Sequence, residues 1–294
     1  MADPAGAHDP FIAVDWGTTN RRAFLIEGGA VVRTERDDRG AAVVEDFPAE
    51  VAGLRARLGD LPMLLAGMVG SNIGWRAVPY IAAPAGLAVL AAALEPIDGR
   101  TAIVPGLSCR DGGRADVMRG EEVQLLGAVA AGMVPADSLL CQPGTHCKWA
   151  VLERGEIVRF TTAMTGELFS LLRAHGLLAR QIGGAVNDGA AFREGVTEGA
   201  RRDLAASLFG IRASGLLGLR DDADAAAYAS GLLIGADVAA RIDEAAARTV
   251  HLLADPALGA LYAAAIETLG GSATIVDSHA AFVAGITRIR ELSA

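Results

Sequence analysis

The chain has 294 residues, of which 52% are hydrophobic and 21% charged, and its formal net charge is −9. That composition can bury a sizeable core and excludes a wholly disordered tail, while the length suits two domains or one large α/β domain. The acidic balance argues against a protein that coats nucleic acid or a membrane surface. Three cysteines, Cys109, Cys141 and Cys147, are too few for a disulfide framework in a chain of this length and point to a reducing, cytoplasmic setting. No basic stretch followed by an apolar core opens the sequence, and no run reaches the ~20 uninterrupted apolar residues of a membrane span. Of the 26 basic residues a single one is lysine, Lys148. A lysine kept where arginine serves everywhere else marks a place where the two are not interchangeable.

In chain order, the apolar run 11–14 ends at Asp15 and is followed by Gly17-Thr18-Thr19, then by a second run 23–27, Gly28-Gly29, and a third run 30–32. Connections this short force an antiparallel three-stranded meander. Segments 61–66 and 101–104 read as further buried strands, with an Ala/Leu-rich helix near 87–94 between them. The spacing of Val123, Leu126, Val129 and Ala130 predicts a helix over 119–131. A second meander follows at 138–141, 148–153 and 156–161, turning at Arg154-Gly155. Beyond it the pattern is mostly helical (166–175, 189–208, 223–243, 257–269 and 279–292), with strands at 249–253 and 273–276. Two successive units, each opening on a meander, place the expected domains at 10–133 and 134–294.

Three segments carry candidate chemistry. In Asp15-Trp16-Gly17-Thr18-Thr19-Asn20 a glycine lets backbone approach a phosphate closely, the turn N–H groups and hydroxyls are donors, and Asp15 can hold a hydrated Mg²⁺. An ordinary hairpin turn would use the same residues. Gly144-Thr145-His146-Cys147-Lys148-Trp149 repeats the Gly-Thr placement one unit later, and two such hairpins are far more specific than one. Cys141, His146 and Cys147 are of zinc-ligand type, but no fourth ligand stands at a familiar spacing. The third segment, Asp116 to Glu122, leads into a helix; its acids are either dipole partners of the helix N-terminus or a general base for phosphoryl transfer.

Together these residues resemble the 2-dehydro-3-deoxygalactonokinase family, in the sugar-kinase branch of the actin/Hsp70/hexokinase superfamily. The resemblance spans nearly the whole chain. It is carried by the Asp15–Asn20 turn, Ala66-Gly67-Met68-Val69-Gly70-Ser71, Gly74-Trp75, Arg119-Gly120-Glu121-Glu122, Pro143-Gly144-Thr145-His146, Lys148-Trp149, Met164-Thr165-Gly166-Glu167-Leu168-Phe169 and Ser230-Gly231-Leu232-Leu233-Ile234-Gly235. It implies an α/β protein of two ribonuclease-H-like domains, the actin-like ATPase fold, closing on MgATP around an interdomain cleft. It also implies phosphorylation of a sugar acid on its 6-hydroxyl.

Carried onto this chain, the resemblance makes Asp15, Gly17, Thr18 and Thr19 the first phosphate loop, with Asp15 organising Mg²⁺, and Gly144 and Thr145 the second. Lys148, Gly231 and Gly235 are expected at the nucleotide. Relatives carry Gly-Asp-Gln where this chain has Gly120-Glu121-Glu122, so Glu121 is expected as base, with Asp116 as rival. The substrate side is expected to include Trp16, Asn20, Arg21, Gly67, Met68, Ser71, Trp75, Thr165 and Glu167. A keto-acid carboxylate asks for an arginine, from Arg21, Arg22 or Arg76. Where relatives have a glycine-rich adenosine loop, this chain has Ala254-Asp255-Pro256. An Hsp70- or actin-like regulatory ATPase, or a phosphatase, would share the fold. Oligomeric state is not written in the sequence, although the alanine-rich helices are where an interface would hide.

Overall fold

The computed structural model describes residues 9–242 and 249–294. The first three strands, β1 (Phe11–Trp16), β2 (Arg21–Glu27) and β3 (Ala30–Asp37), form the expected antiparallel meander. Gly28 and Gly29 make its second turn at φ +57° and +79°, backbone that side chains with a Cβ resist. Helix α1 (Phe47–Leu58) was not expected. Its signals are local: Asp46 caps it by accepting the Ala49 N–H at 2.9 Å, Pro48 sits in its first turn, and Phe47, Val51, Leu54 and Leu58 form a buried stripe at helical spacing.

Next come β4 (Met63–Gly67), a single 3₁₀ turn at Met68–Gly70, β5 (Ile81–Ala82), α2 (Leu87–Ala92), β6 (Glu95–Asp98) and β7 (Thr101–Ile103). The first sheet runs β3-β2-β1-β4-β7-β6, with β4 parallel to both β1 and β7. Segment 107–118, for which no element was expected, is a hairpin of β8 (Leu107–Asp111) and β9 (Arg114–Met118), joined to β5 in a three-stranded sheet, and it takes in 116–118 of the segment expected to lead into a helix. The Gly112-Gly113 turn at φ +54° and +85° is the reason: two left-handed glycines reverse a chain that would otherwise run on. Asp116 therefore lies on a strand opposite Cys109, and the helix α3 (Glu121–Ala130) starts only after Gly120.

The second sheet runs β12-β11-β10-β13-β14, from β10 (Ser138–Gln142), β11 (Cys147–Glu153), β12 (Glu156–Ala163), β13 (Thr249–Leu253) and β14 (Ser272–Val276). Its helices are α4 (Thr165–His175), α5 (Ala190–Gly199), α6 (Leu204–Leu216), α7 (Asp222–Ile242) and α8 (Pro256–Thr268), and α9 (Ser278–Leu292) ends the chain. The expected single helix over 189–208 is broken into α5 and α6 at Arg201-Arg202-Asp203, where Arg202 takes φ +65°. Residue 243 of the expected helix 223–243 lies outside the described residues. Helix α7 is long and apolar enough to cross a membrane, but 72% of its apolar window is buried within the fold. It is a core helix.

The chain divides into two compact units, and the division differs from the 10–133 and 134–294 expectation. The first unit takes the chain through Asp137, Val151–Phe160 and Ser278–Ala294; the second takes Ser138–Ala150 and Thr161–Asp277. Helix α9 belongs to the first unit because it lies against α3 with almost no spacer. A Cβ on Gly127 would stand 2.0 Å from the Ala281 carbonyl, and one on Gly285 2.1 Å from that of Val123. Phe282 also packs on Phe24, with ring centroids 5.6 Å apart. Such contacts are long-range and invisible to local pattern. The core of the first unit gathers Ile12, Val14, Trp16, Val51, Leu54 and Leu65 around the parallel strands, all at 3% exposure or less.

Candidate active site

The site residues of the first unit are brought together by glycines at strand ends. Trp16 and Gly67 are partners at the ends of the parallel strands β1 and β4. A Cβ on Gly67, whose φ is +94°, would fall 2.6 Å from the Trp16 carbonyl oxygen. Gly120, at φ +106°, lies so close that its Cβ would reach 3.1 Å from the Gly67 Cα. Three backbones therefore touch, and the start of α3, with Glu121 and Glu122, is delivered beside Asp15 at the end of β1. No residue with a side chain fits at Gly67 or Gly120 without moving a strand end.

The turn 17–20 is seated on segment 40–42. Gly40 and Ala41 donate their N–H groups to the Thr19 and Gly17 carbonyls at 3.2 and 2.9 Å, and Ala42 donates to that of Thr18 at 3.0 Å. Three carbonyls of the turn are thus occupied, so the groups it has to offer a ligand are donors. Thr18, Thr19 and Asn20 are exposed at its tip. Beside the tip lies a cavity of about 520 Å³ lined by Asp15, Gly17, Thr19, Asn20, Arg21, Arg22, Arg36 and Asp37.

Charge in this cavity is arranged across neighbouring strands. Asp15 pairs with Arg22 in the β1–β2 register, and Arg22 with Arg36 in the β2–β3 register. Arg22 Nη1 stands 3.9 Å from Asp15 Oδ2. Burial pushes the Asp15 carboxyl up to about 6; Arg22 opposes the shift and the Glu121 charge adds to it. Burial also pulls the Arg22 guanidinium below its usual range, Asp15 holds it up, and the like charge of Arg36 lowers it again. Two guanidiniums side by side in a cavity are held at a cost that an anion between them would remove.

Glu121 and Glu122 divide their tasks. Glu122, with no exposure at all, accepts the Gly120 N–H through both carboxylate oxygens at 2.8 Å, and burial together with the Glu121 charge raises it to about 8. Glu121 accepts the Arg119 N–H at 3.1 Å, and its charge is felt by both Asp15 and Glu122. Asp116, partly buried on β9, bonds the N–H of its own neighbour Val117 at 2.8 Å.

Several residues expected at the substrate do other work. Trp16 has no exposure; its Nε1–H donates to the Arg39 carbonyl at 2.8 Å and its ring packs on Phe47 at 5.3 Å, so it belongs to the core. Arg21 is buried, grips Asp37 at 2.6 Å and Glu50 at 2.9 Å, and lies over the Trp16 ring, which leaves it no charge for a substrate. Arg76 holds Glu95 at 3.0 Å on the surface. Ser71 closes the turn after β4 by donating to the Met68 carbonyl at 2.7 Å. Met68 is half-buried against the core, and Trp75, also half-buried, stacks on Phe47 at 6.4 Å. Of the three candidate arginines, Arg22 alone faces the cavity without a structural acid on each side. Arg36 was not among the expected residues, and the hairpin register that sets it opposite Arg22 was the signal.

In the second unit, the turn 143–146 is clamped by the start of α4. A Cβ on Gly166 would fall 2.4 Å from the Gly144 carbonyl oxygen, Glu167 donates its N–H to the Thr145 carbonyl at 2.9 Å, and the Glu167 carboxylate meets His146 Nε2 at 2.6 Å. Thr145 and His146 remain exposed. Glu167 and Thr165 are thus spent on the fold: Thr165 donates to buried Asp237 at 2.9 Å. Lys148 is buried on β11, its Nζ reaching the His146 carbonyl at 3.4 Å. Cys141 and Cys147 stand 3.5 Å apart, both thiols raised by burial, and His146 is turned away to Glu167. Gly231 and Gly235, expected at the nucleotide, lie inside the α5–α7 contact, where Cβ atoms would collide with the Phe192 and Val196 carbonyls at 2.0 and 2.4 Å. Asp255 caps α8 by accepting the Ala257 and Leu258 N–H groups.

A sequence model of the 2-keto-3-deoxy-galactonokinase family matches residues 15–289. The chain belongs to that family. It is 37% identical over 285 residues to the 2-dehydro-3-deoxygalactonokinase of Escherichia coli K12, covering 95% of this chain and 97% of that protein. A Rhizobium meliloti protein given the same name provisionally is 37% identical over 292 residues, covering 94% and 95% of the two chains. Among solved structures, a protein of that description from Sinorhizobium meliloti superposes with a TM-score of 0.88 at 36% identity, covering 95% and 97%. The Clostridium difficile activator of 2-hydroxyisocaproyl-CoA dehydratase, solved with bound ADPNP, superposes at 0.53 with 9% identity over 97% and 96% of the two chains. The fold is the two-unit α/β actin-like ATPase fold.

Proposed function

We propose that this member of the family is an ATP-dependent sugar-acid kinase that phosphorylates 2-dehydro-3-deoxygalactonate on its 6-hydroxyl in the cytoplasm. Family membership carries the reaction class, and three free buried cysteines suit a reducing compartment. The observation that carries the mechanism is a cavity lined by Asp15, Arg22 and Arg36, with Glu121 near enough for its charge to act on Asp15.

In this reading Glu121 is the base. It accepts the proton of the acceptor hydroxyl as the bond from that oxygen to the γ-phosphorus forms and the bond from phosphorus to the bridging oxygen of ADP breaks. Glu122 is the wrong carboxylate for this task, being sealed from the cavity and engaged by Gly120. Glu121 takes the role ahead of Asp116 because its charge acts on Asp15, whereas Asp116 lies on β9 and accepts the Val117 N–H.

Asp15 suits a divalent cation, because a carboxylate raised to about 6 by burial gains most from a nearby positive charge. Mg²⁺ held there would neutralise charge on the transferred phosphoryl group. Thr18 and Thr19 offer hydroxyls and N–H groups from the turn 17–20, and Thr145 offers the same from the turn 143–146. The sugar-acid carboxylate is taken by Arg22 with Arg36, whose mutual repulsion an anion relieves. Asn20, at the cavity edge, supplies an amide for a sugar hydroxyl.

The test is to incubate the protein with ATP, Mg²⁺ and a panel of 2-keto-3-deoxy sugar acids, following ADP release. Turnover that depends on the galactonate-derived acid is expected. Turnover independent of any sugar acid would overturn the reading in favour of an ATPase or phosphatase.

A further inference from the structure

Helix α6 is apolar on both sides. Its inner face carries Leu208 and the buried Ile211, which pack with α4 and α7 residues in one cluster. Its outer face carries Phe209 at 62% exposure and Leu216 at 70%, and Leu217 follows at 71%. An isolated helix of a water-soluble unit shows polar residues on its outer side, and one that is apolar all round is covered. Among the described residues nothing covers the outer stripe of α6.

The stripe has a self-complementary pattern. About a two-fold axis crossing the helix at residue 211, Phe209 comes opposite Ala213, Leu216 opposite Ala206 and Leu217 opposite Ala205. Each large side chain meets a small one, so two antiparallel copies can interlock without a gap. The charges follow the same symmetry. Arg201, Arg202 and Asp203 precede the helix with a net charge of +1, while Arg220, engaged by Glu194 at 3.0 Å, and the exposed acids Asp221, Asp222 and Asp224 follow it with a net charge of −2. Arg201 is 73% exposed and holds Glu198 in a solvent-screened pair at 3.2 Å, leaving guanidinium N–H groups for a second acid. An antiparallel pair of helices sets each basic end against the acidic end of the other copy, which is the arrangement an isologous contact requires.

We propose that the outer face of α6 is the interface of a two-fold homodimer, formed by antiparallel packing of α6 on its own copy. The contact serves assembly and uses none of the residues assigned to phosphoryl transfer.

Sedimentation velocity on the full chain across a micromolar concentration series is the direct test, and a dimer is expected. Phe209→Glu with Leu216→Glu, both at exposed positions, should weaken the dimer by at least about 30-fold while leaving kcat unchanged. A charge exchange makes the test specific. Arg201→Glu with Arg202→Glu leaves both helix ends acidic, and Asp222→Arg with Asp224→Arg leaves both basic. Each protein alone should sediment as a monomer, and an equimolar mixture of the two should restore the dimer. A wild-type chain that stays monomeric throughout the series overturns the proposal, as does a dimer indifferent to the apolar pair and to both charge exchanges.

Discussion

The turn at 17–20 and the turn at 143–146 share a Gly-Thr signature, but the chain around the first supplies charge and the chain around the second supplies support. At the first, Asp15, Arg22 and Arg36 line one cavity, and burial first and neighbouring charge second shift the Asp15 carboxyl up and the Arg22 guanidinium down. At the second, α4 grips the turn through Gly166, the Glu167 N–H and the Glu167–His146 pair. A loop that must carry out chemistry needs unsatisfied charge nearby. A loop that must hold a phosphate needs only fixed donors.

The largest effect expected from this contrast is at Glu121. Replacing it with Gln should lower kcat by roughly 10²- to 10⁴-fold with little change in folding, whereas Asp116→Asn should leave kcat within a few-fold of wild type. Equal and mild losses would erase the asymmetry between the regions.

Next in size is a division of substrates. Arg22→Ala or Arg36→Ala should raise KM for the sugar acid by about 10- to 100-fold, as expected for loss of a charge-assisted contact, and leave KM for ATP nearly unmoved. Glu167→Gln, which loosens the second turn, should raise KM for ATP instead, by several-fold. Steady-state kinetics with each substrate varied in turn checks both, and a reversed pattern breaks the assignment.

The smallest effect is one of stability against pH. Glu122 has its carboxyl raised in the folded state to about 8 from an ordinary 4.5. Its protonated form therefore favours the fold, fully below about pH 4.5, and that contribution fades as pH rises towards 8. Glu122→Gln mimics the neutral acid. Thermal unfolding of the two proteins should coincide near pH 5, and the variant should be the more stable by on the order of 2 kcal/mol near pH 8.5. Parallel curves at all pH values would mean that the buried acid is not under this strain.

Much of the fold was legible because it is local. Both meanders, the helix after Gly120 and most strands followed from apolar period and glycine turns, which act within a few residues. The hairpin of β8 and β9 and the helix α1 were missed although their signals, Gly112-Gly113 and the Asp46 cap with Pro48, are equally local. The placement of α9 was not legible at all, since it depends on Gly127 and Gly285 meeting glycine-thin surfaces across more than a hundred residues of chain. The same holds for the site. Asp15, Thr18, Thr19 and Thr145 were nominated from the turns that carry them, and it is as proposed site residues that they stand.

By itself, the sequence determined that this is an α/β kinase-like chain with two Gly-Thr turns, because turn chemistry and strand period are properties of neighbouring residues. Only tertiary structure decided which charges are free to act. Trp16 and Arg21 look like ligands on paper and are spent on the core, while Arg36, unremarked in the sequence, is carried by β3 to face Arg22. Burial and partnership set the use of a side chain, and both are made by residues far apart in the chain.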